Sequence, residues 1–545
     1  MKIIGIIAEY NPFHNGHAYQ IEEIRRRTEA DYIVVAMSGD FVQRGAPAIV
    51  DKYARTRMAL SCGADLVIEL PVLWATASAE SFAAAGVALF EKMGCVDGIC
   101  FGAECENLSL LSEIADILVE EPSAYRAALS SYIKEGLTFP QARAKALSEV
   151  LSKSVPTSPK TDSALKDAYS ESASLTQSEL AKILVSPNNI LAIEYLKAIR
   201  RQDSSLTPYL IKREGAGYHD TEIYDAPLGF SGSENVSCSH SDVSTPAISP
   251  TSAPVAAPTA SATAIRKTLA AAPSDSLSAN PATAIRETLA AESSDSPSAK
   301  LAAAMPAPAL SVLTNYLSQM PAVWSDDFSS ILGYLLLSKA PEELALYGDC
   351  NIDIANRLSK NLFSYRSVSQ FCEQNKSRDI TYTRMSRILL HMLLHIQNTD
   401  YAAGKAQGYI PYLRILGFCR DSSALLGELK RRAAVPVISK LADARKLLVK
   451  DADTLQEQTV GALQDQTADA LQNQTADAMW ERTADTLSKQ ASCAIQEPAS
   501  CAMHKSYATA LLDLDIFAAD LYEQIASQKK GTTPRSEYTR EIVRI

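Results

Sequence analysis

Short apolar runs that alternate with helical patterns over residues 1–105 constrain this fold more than any other feature. IIGIIA opens the chain, and DYIVVAMSGD (31–40), ADLVIELP (64–71) and DGICFGAE (97–104) follow. Such short runs, punctuated by Gly or Pro, read as buried strands. Between them DKYARTRMALSCG and SAESFAAAGVALFEKMG have the spacing of helices. A β-α-β-α order predicts an α/β fold with a Rossmann-like, doubly wound parallel sheet. Residues 106–151 and 176–201 read as helices, and TPYLIKRE (207–214) as another strand.

The 545 residues suffice for two or three domains. A net charge of −11 argues against coating nucleic acid by bulk charge, but leaves room for a local basic face. The N-terminus runs straight into a strand and no run of eighteen apolar residues occurs, so neither a leader nor a membrane span is expected. The ten cysteines are scattered; Cys95, Cys100 and Cys105 fit no zinc spacing, so reduced thiols in a cytoplasmic protein and no bound metal are expected. His391 and His395 stand four apart, but Met392 occupies the position where a metalloprotease helix needs Glu. A packed amphipathic helix is the reading there.

Residues 231–306 are rich in Ser, Pro, Ala and Thr. Within them ATAIRKTLAAAPSDSLSA (262–279) recurs as ATAIRETLAAESSDSPSA (282–299). Such composition buries too little surface to offset chain entropy, so an insertion is expected. From about 455, LQEQTVGA, LQDQTADA, LQNQTADA and MWERTADT repeat every eight residues, a period matching neither a helix nor a heptad. The expected organisation is therefore a first domain over 1–230, an insertion over 231–306, and a mainly helical domain over 307–450. A repeat insertion over 451–505 and a helical segment with a tail over 506–545 complete it.

The chemistry concentrates where the first strand hands over to a helix, in AEYNPFHNGH. A helix starting just after a parallel strand offers free N–H groups and a positive dipole end to phosphates. Two histidines at i, i+3 in that turn can face one phosphate chain, and donors aimed at charge developing on phosphate oxygens are worth on the order of 10²–10³ in rate.

His-Asn-Gly-His resembles the H-x-G-H signature of the nucleotidyltransferase superfamily. Together with MSGDFVQRGAPAIVDKYARTRMAL, ADLVIELP, FGAE, SPNNILAIEY and REGAGYHD, it resembles the bacterial tRNA(Met) cytidine acetate ligase family. The likeness is dense over 1–225, loose over 307–450, and absent from the two insertions. It implies a nucleotidyltransferase-type fold and a two-step reaction. Acetate and ATP, with Mg2+ expected alongside, form acetyl-adenylate; the acetyl group then passes to the wobble cytidine of elongator tRNA(Met), giving N4-acetylcytidine. A small-molecule adenylyltransferase acting on a phosphorylated cofactor precursor is the alternative, and a non-catalytic ATP-sensing tRNA binder a third reading.

The resemblance assigns an ATP-binding stretch to Ile7, Ala8, Glu9, Tyr10, Asn11, Pro12, Phe13, His14, Asn15, Gly16, His17, Ala18, Tyr19 and Gln20, with His14 and His17 catalytic. It adds Gly102, Arg213, and Asn188 or Asn189, with Asn188 favoured. Arg44 is open between a phosphate contact and an ion pair. A second phosphate motif of the superfamily matches SATAIRK through Thr263, Arg266 and Lys267. Its copy carries Arg286 and Glu287, and a carboxylate beside a triphosphate is unfavourable, so the first copy is preferred. For tRNA, Lys376, Arg378, Arg384 and Arg387 cluster near Tyr382, and Lys430, Arg431, Arg432 and Arg445 form further basic runs.

Overall fold

The computed structural model describes residues 1–153, 177–213, 261–270, 297–377, 379–449 and 507–545. The GAGYHD stretch, nearly all of the second copy of the twenty-residue repeat, and the octapeptide repeats lie outside the described residues.

Ten strands are described: β1 (Ile3–Ala8), β2 (Tyr32–Ser38), β3 (Phe41–Val42), β4 (Ala46–Pro47), β5 (Leu66–Leu70), β6 (Gly98–Ala103), β7 (Thr207–Lys212), β8 (Leu413–Phe418), β9 (Val437–Ile438) and β10 (Val543–Arg544). The main sheet runs β10-β8-β5-β2-β1-β6-β7, with β9 beside β8, while β3 and β4 form a small hairpin. The five strands from β5 to β7 in this order are parallel. From β1 the chain winds outward through β2 to β5, then returns to lay β6 and β7 on the other side. The crevice between β1 and β6 is thus a topological switch point, where open α/β sheets bind ligands.

The alternation of the strands builds two cores. Ile3, Val34, Ala36, Leu66 and Ile68 face one side, packing with the helices Ala79–Met93, Leu108–Glu120 and Pro187–Arg201. Ile4, Ile6, Ile33, Val35 and Val67 face the other, against Asn15–Thr28, Lys52–Ser61 and Ala307–Gln319. The strands are apolar almost throughout, and the two-residue period of strand geometry sends successive side chains to opposite cores.

Beyond residue 307 the described residues are mostly helical, as expected, and Ser329–Ser338, Ile352–Lys360, Val368–Asn375 and Tyr382–Leu393 enclose a small core of their own. The sheet, however, is completed from this half. β8 lies antiparallel to β5, with Glu69 opposite Arg414, and β10 adds to β8 in parallel. LRILGF is short and β10 shorter, so neither stands out from its surroundings by pattern.

A buried charge cluster marks that junction. Lys52 Nζ lies 2.7 Å from both Glu69 Oε1 and Glu537 Oε1. Arg414 meets the same two carboxylates, 2.9 Å from Glu69 Oε2. All four side chains are buried, so each cation depends on the carboxylates for its charge balance. His391 is also buried, held between the carbonyls of Gly348 and Thr76 at 3.0 Å each, so it packs the helix against its neighbours. The described cysteines, Cys62, Cys95, Cys100, Cys105, Cys350, Cys372 and Cys419, are free thiols. Among the described residues no helix is long and apolar enough to cross a membrane.

Candidate active site

At the end of β1 the chain turns through Tyr10, at φ 47°, and a cis Asn11–Pro12 bond. It then enters the helix Asn15–Thr28, with His14 as its N-cap. The turn is held from several sides. Asn11 Oδ1 accepts the Ile49 N–H at 2.9 Å, and Glu9 Oε1 accepts that of Gln43 at 3.0 Å. The buried Arg55 guanidinium donates to the carbonyls of Glu9 at 2.7 Å, Ser38 at 3.0 Å and Val50 at 3.1 Å, and also to that of Gly39.

The two histidines cap the helix reciprocally. His14 Nδ1 accepts the Gly16 N–H at 3.1 Å, while His17 Nδ1 accepts the His14 N–H at 3.2 Å. A ring nitrogen that accepts carries no proton, so each imidazole is neutral and keeps its proton on Nε2. Gly16 allows a close approach: a Cβ there would lie 3.1 Å from the His14 ring, which would have to shift slightly. Burial, aided by the charges of Arg213 and Arg266, pushes His14 down to about 3. Burial, the neighbouring His14 and Arg213 hold His17 well below the usual histidine range. Tyr10 packs edge-on against Phe13 and His17, and its buried hydroxyl has no hydrogen-bond partner.

The first repeat copy docks directly on this turn. Arg266 donates to the Asn11 carbonyl at 2.7 Å and to Thr263 Oγ1 at 3.1 Å. Arg44, from the hairpin loop, donates to the same hydroxyl at 3.0 Å. Ser261 Oγ caps the helix Ala262–Ala270 by accepting the Ala264 N–H at 3.1 Å. Lys267 is exposed. Arg286 and Glu287 lie outside the described residues.

Across the crevice, β6 ends at Gly102, where a Cβ would lie 3.1 Å from Arg213 Cγ. The Arg213 N–H donates to the Ala103 carbonyl at 2.9 Å, which sets that side chain beside the strand end. Asn189 is buried. Its Oδ1 accepts the N–H groups of Glu104 and Cys105 at 2.9 Å each, and its amide donates to the Ile183 carbonyl at 3.2 Å. Asn188 is half-buried and donates to Glu104 Oε1 at 2.6 Å. Asn189 therefore shapes the loop after β6, while Asn188 stands nearer solvent.

His14, His17, Arg213, Thr263, Arg266 and Arg44 are thus gathered at the switch point from four distant parts of the sequence. Two N–H donors that stay neutral and several guanidinium groups suit a multiply charged anion. Among the described residues no three His, Cys, Asp or Glu side chains group as a metal site. Sequence reasoning passed over Arg55 and Glu104. Arg55 sits in an ordinary helical pattern, and only the folded loops reveal that it binds their carbonyls.

The expected tRNA contacts lie on the helical half of the chain, whose helix Tyr382–Leu393 touches the hairpin that carries Arg44. Arg387 pairs with Asp349 at 2.8 Å, and Arg384 donates to the Asp349 carbonyl at 3.4 Å. Lys376 is exposed and paired with Glu373. Arg378 lies outside the described residues. Arg431 and Arg432 pair with Glu428, and Arg445 with Asp513.

A family model described as HIGH Nucleotidyl Transferase matches residues 1–233 and 251–535. A protein of Acetivibrio thermocellus named tRNA(Met) cytidine acetate ligase is 34% identical over 444 residues, covering 81% of this chain and 89% of its own length. One of the same name from Caldanaerobacter subterraneus is 35% identical over 443 residues, covering 81% and 89%. The crystal structure of apo Thermotoga maritima TmcAL superposes with a TM-score of 0.71 at 23% identity, covering both chains fully. A second form of that protein, bound with alpha-thio ATP, gives 0.69 at 22% identity, covering 100% of this chain and 99% of its own.

Proposed function

The chain belongs to the tRNA(Met) cytidine acetate ligase family, within the HIGH nucleotidyl transferases, and from that premise we propose that it activates acetate with ATP and acetylates the wobble cytidine of elongator tRNA(Met). In the first step an acetate oxygen attacks the α-phosphorus, the bond to the bridging oxygen breaks, and pyrophosphate leaves with the electron pair. In the second, the cytidine N4 amine attacks the acetyl carbonyl carbon, AMP departs, and the amine gives up a proton.

The observation that carries this reading is the fixed tautomer of the histidine pair. With both Nδ1 atoms accepting backbone N–H groups, His14 and His17 each offer one Nε2–H. Those donors would meet oxygens of the α- and β-phosphates, where charge shifts as pyrophosphate forms. Arg213 and Arg266 would grip the phosphate chain, assisted by Thr263 and Lys267, and Gly102 would let the nucleotide approach the end of β6. Asn188 would contact the nucleotide while Asn189 holds the loop beneath it. Mg2+ accompanying ATP would offset charge on the phosphate chain; among the described residues no three His, Cys, Asp or Glu side chains group to hold it.

Acetate-dependent exchange of radiolabelled pyrophosphate into ATP, without RNA, is the test. Exchange with acetate supports the first step. Exchange that needs a phosphorylated metabolite instead would favour an adenylyltransferase, and no exchange with any acid would leave only binding.

A further inference from the structure

Phe363 is 96% exposed, although it sits in a well-anchored turn. The turn, Leu362–Ser364, joins the helices Ile352–Lys360 and Val368–Asn375. Asn361 donates to Asn375 Oδ1 at 2.9 Å, and Gln374 donates to Ser364 Oγ at 2.6 Å. Tyr365 packs edge-on against Phe371 and donates to the Ser329 carbonyl at 2.8 Å. The backbone on both sides is pinned, so the phenyl ring is held in water by its surroundings. An apolar ring kept in that position forgoes burial that its neighbours obtain.

The surroundings indicate what covers it. Residues 357–387 carry seven basic side chains in a chain of net −11; Arg384 and Arg387 are engaged with Asp349 and Lys376 with Glu373, while Lys360 and Arg366 flank Phe363 along the chain. The Asn361–Asn375 bond brings the exposed Lys360 and Lys376 to the same end of the helix pair as Phe363, and exposed Arg366 follows the turn. An aromatic face among cations is complementary to a base with its flanking phosphates. The same helical block reaches the crevice: Ser386 Oγ donates to the Gly45 carbonyl at 2.8 Å, next to Arg44.

We propose that Phe363 is a stacking platform for an unpaired base of the RNA substrate, with Lys360, Arg366 and Lys376 contacting the adjacent phosphates. This rests on the RNA-modifying reading above. It predicts a binding role separable from acetate activation.

The test compares Phe363→Ala and Phe363→Trp in the full chain. An anticodon stem-loop of tRNA(Met) carrying a fluorescent base in its loop is titrated at fixed salt, with RNA-free pyrophosphate exchange as the control. Phe363→Ala should weaken binding about tenfold, the expected scale for one stacked base, and Phe363→Trp should restore it. Exchange and melting temperature should not change in either. Unaltered affinity in Phe363→Ala, or equal loss in both variants, overturns the platform. So does a self-association lost in Phe363→Ala with RNA affinity intact, which would mark a protein interface. If the wild-type chain acetylates tRNA and Phe363→Ala matches it, only the platform falls. If the wild-type chain neither exchanges nor binds RNA, the functional reading falls and the platform with it.

Discussion

The imidazoles of His14 and His17 stack with their ring centroids 3.6 Å apart, each fixed by a backbone N–H on its Nδ1. The helix cap and the proposed phosphate donors are therefore the same two side chains. Folding the first turn of the helix orients both Nε2–H groups before any ligand arrives.

Replacing His17 should separate these roles. His17→Ala should slow acetyl-adenylate formation by about 10²-fold or more, because the lost donor acts on transition-state charge. Loss of its half of the cap should cost only about 1 kcal/mol of stability. Single-turnover kinetics beside a melting curve would check both; an unchanged rate would remove His17 from the chemistry.

The pair should not titrate in the ordinary histidine range. With His14 held down to about 3, its Nε2–H tautomer should persist from pH 8 to pH 5 in nitrogen-detected NMR. The linked effect on stability has a definite sign. Unfolded histidine binds a proton below about pH 6.5 while the folded ring does not, so this site's contribution falls as pH drops from about 6.5 toward 3. Burial pushes Asp40 up to about 7 against the pull of Lys52 and Arg55, and its contribution runs the other way, weakening as pH rises from about 4 to 7. Asp40→Asn should therefore make the loss of stability on acidification from pH 7 to 5 steeper.

The two repeat copies should differ in effect. Arg266→Ala with Lys267→Ala should raise the apparent KM for ATP or slow exchange, since Arg266 is bonded to Asn11 and Thr263 at the histidine turn. The same change at Arg286 and Glu287 should do little. Impairment confined to the second pair would reverse the assignment.

Glu537 should matter for folding more than for chemistry. Burial alone would raise its carboxyl, but Lys52 and Arg414 more than offset that and leave it at about 2. Glu537→Gln leaves the buried Lys52 and Arg414 to share Glu69 and should destabilise the protein by about 3–5 kcal/mol. Thermal unfolding at neutral pH would measure the loss; a change below about 1 kcal/mol would show that the cluster relaxes without its carboxylate.

The sequence by itself determined the parallel sheet and the place of the crevice, because both are written in short-range patterns. Near-continuous apolar runs in β1, β2 and β5 mark strands buried on both faces, and His-Asn-Gly-His marked the helix start that holds the candidate site. The partners of that start were not legible. Arg266 reaches Asn11 across 255 positions, and Arg55 reads as an ordinary helical residue until the loops it binds are folded around it. Only tertiary structure decided that β8 and β10 close the sheet. Their two to six residues carry too little pattern to announce a strand, and the pairing of Arg414 and Lys52 with Glu69 and Glu537 exists only once the two ends of the chain have met.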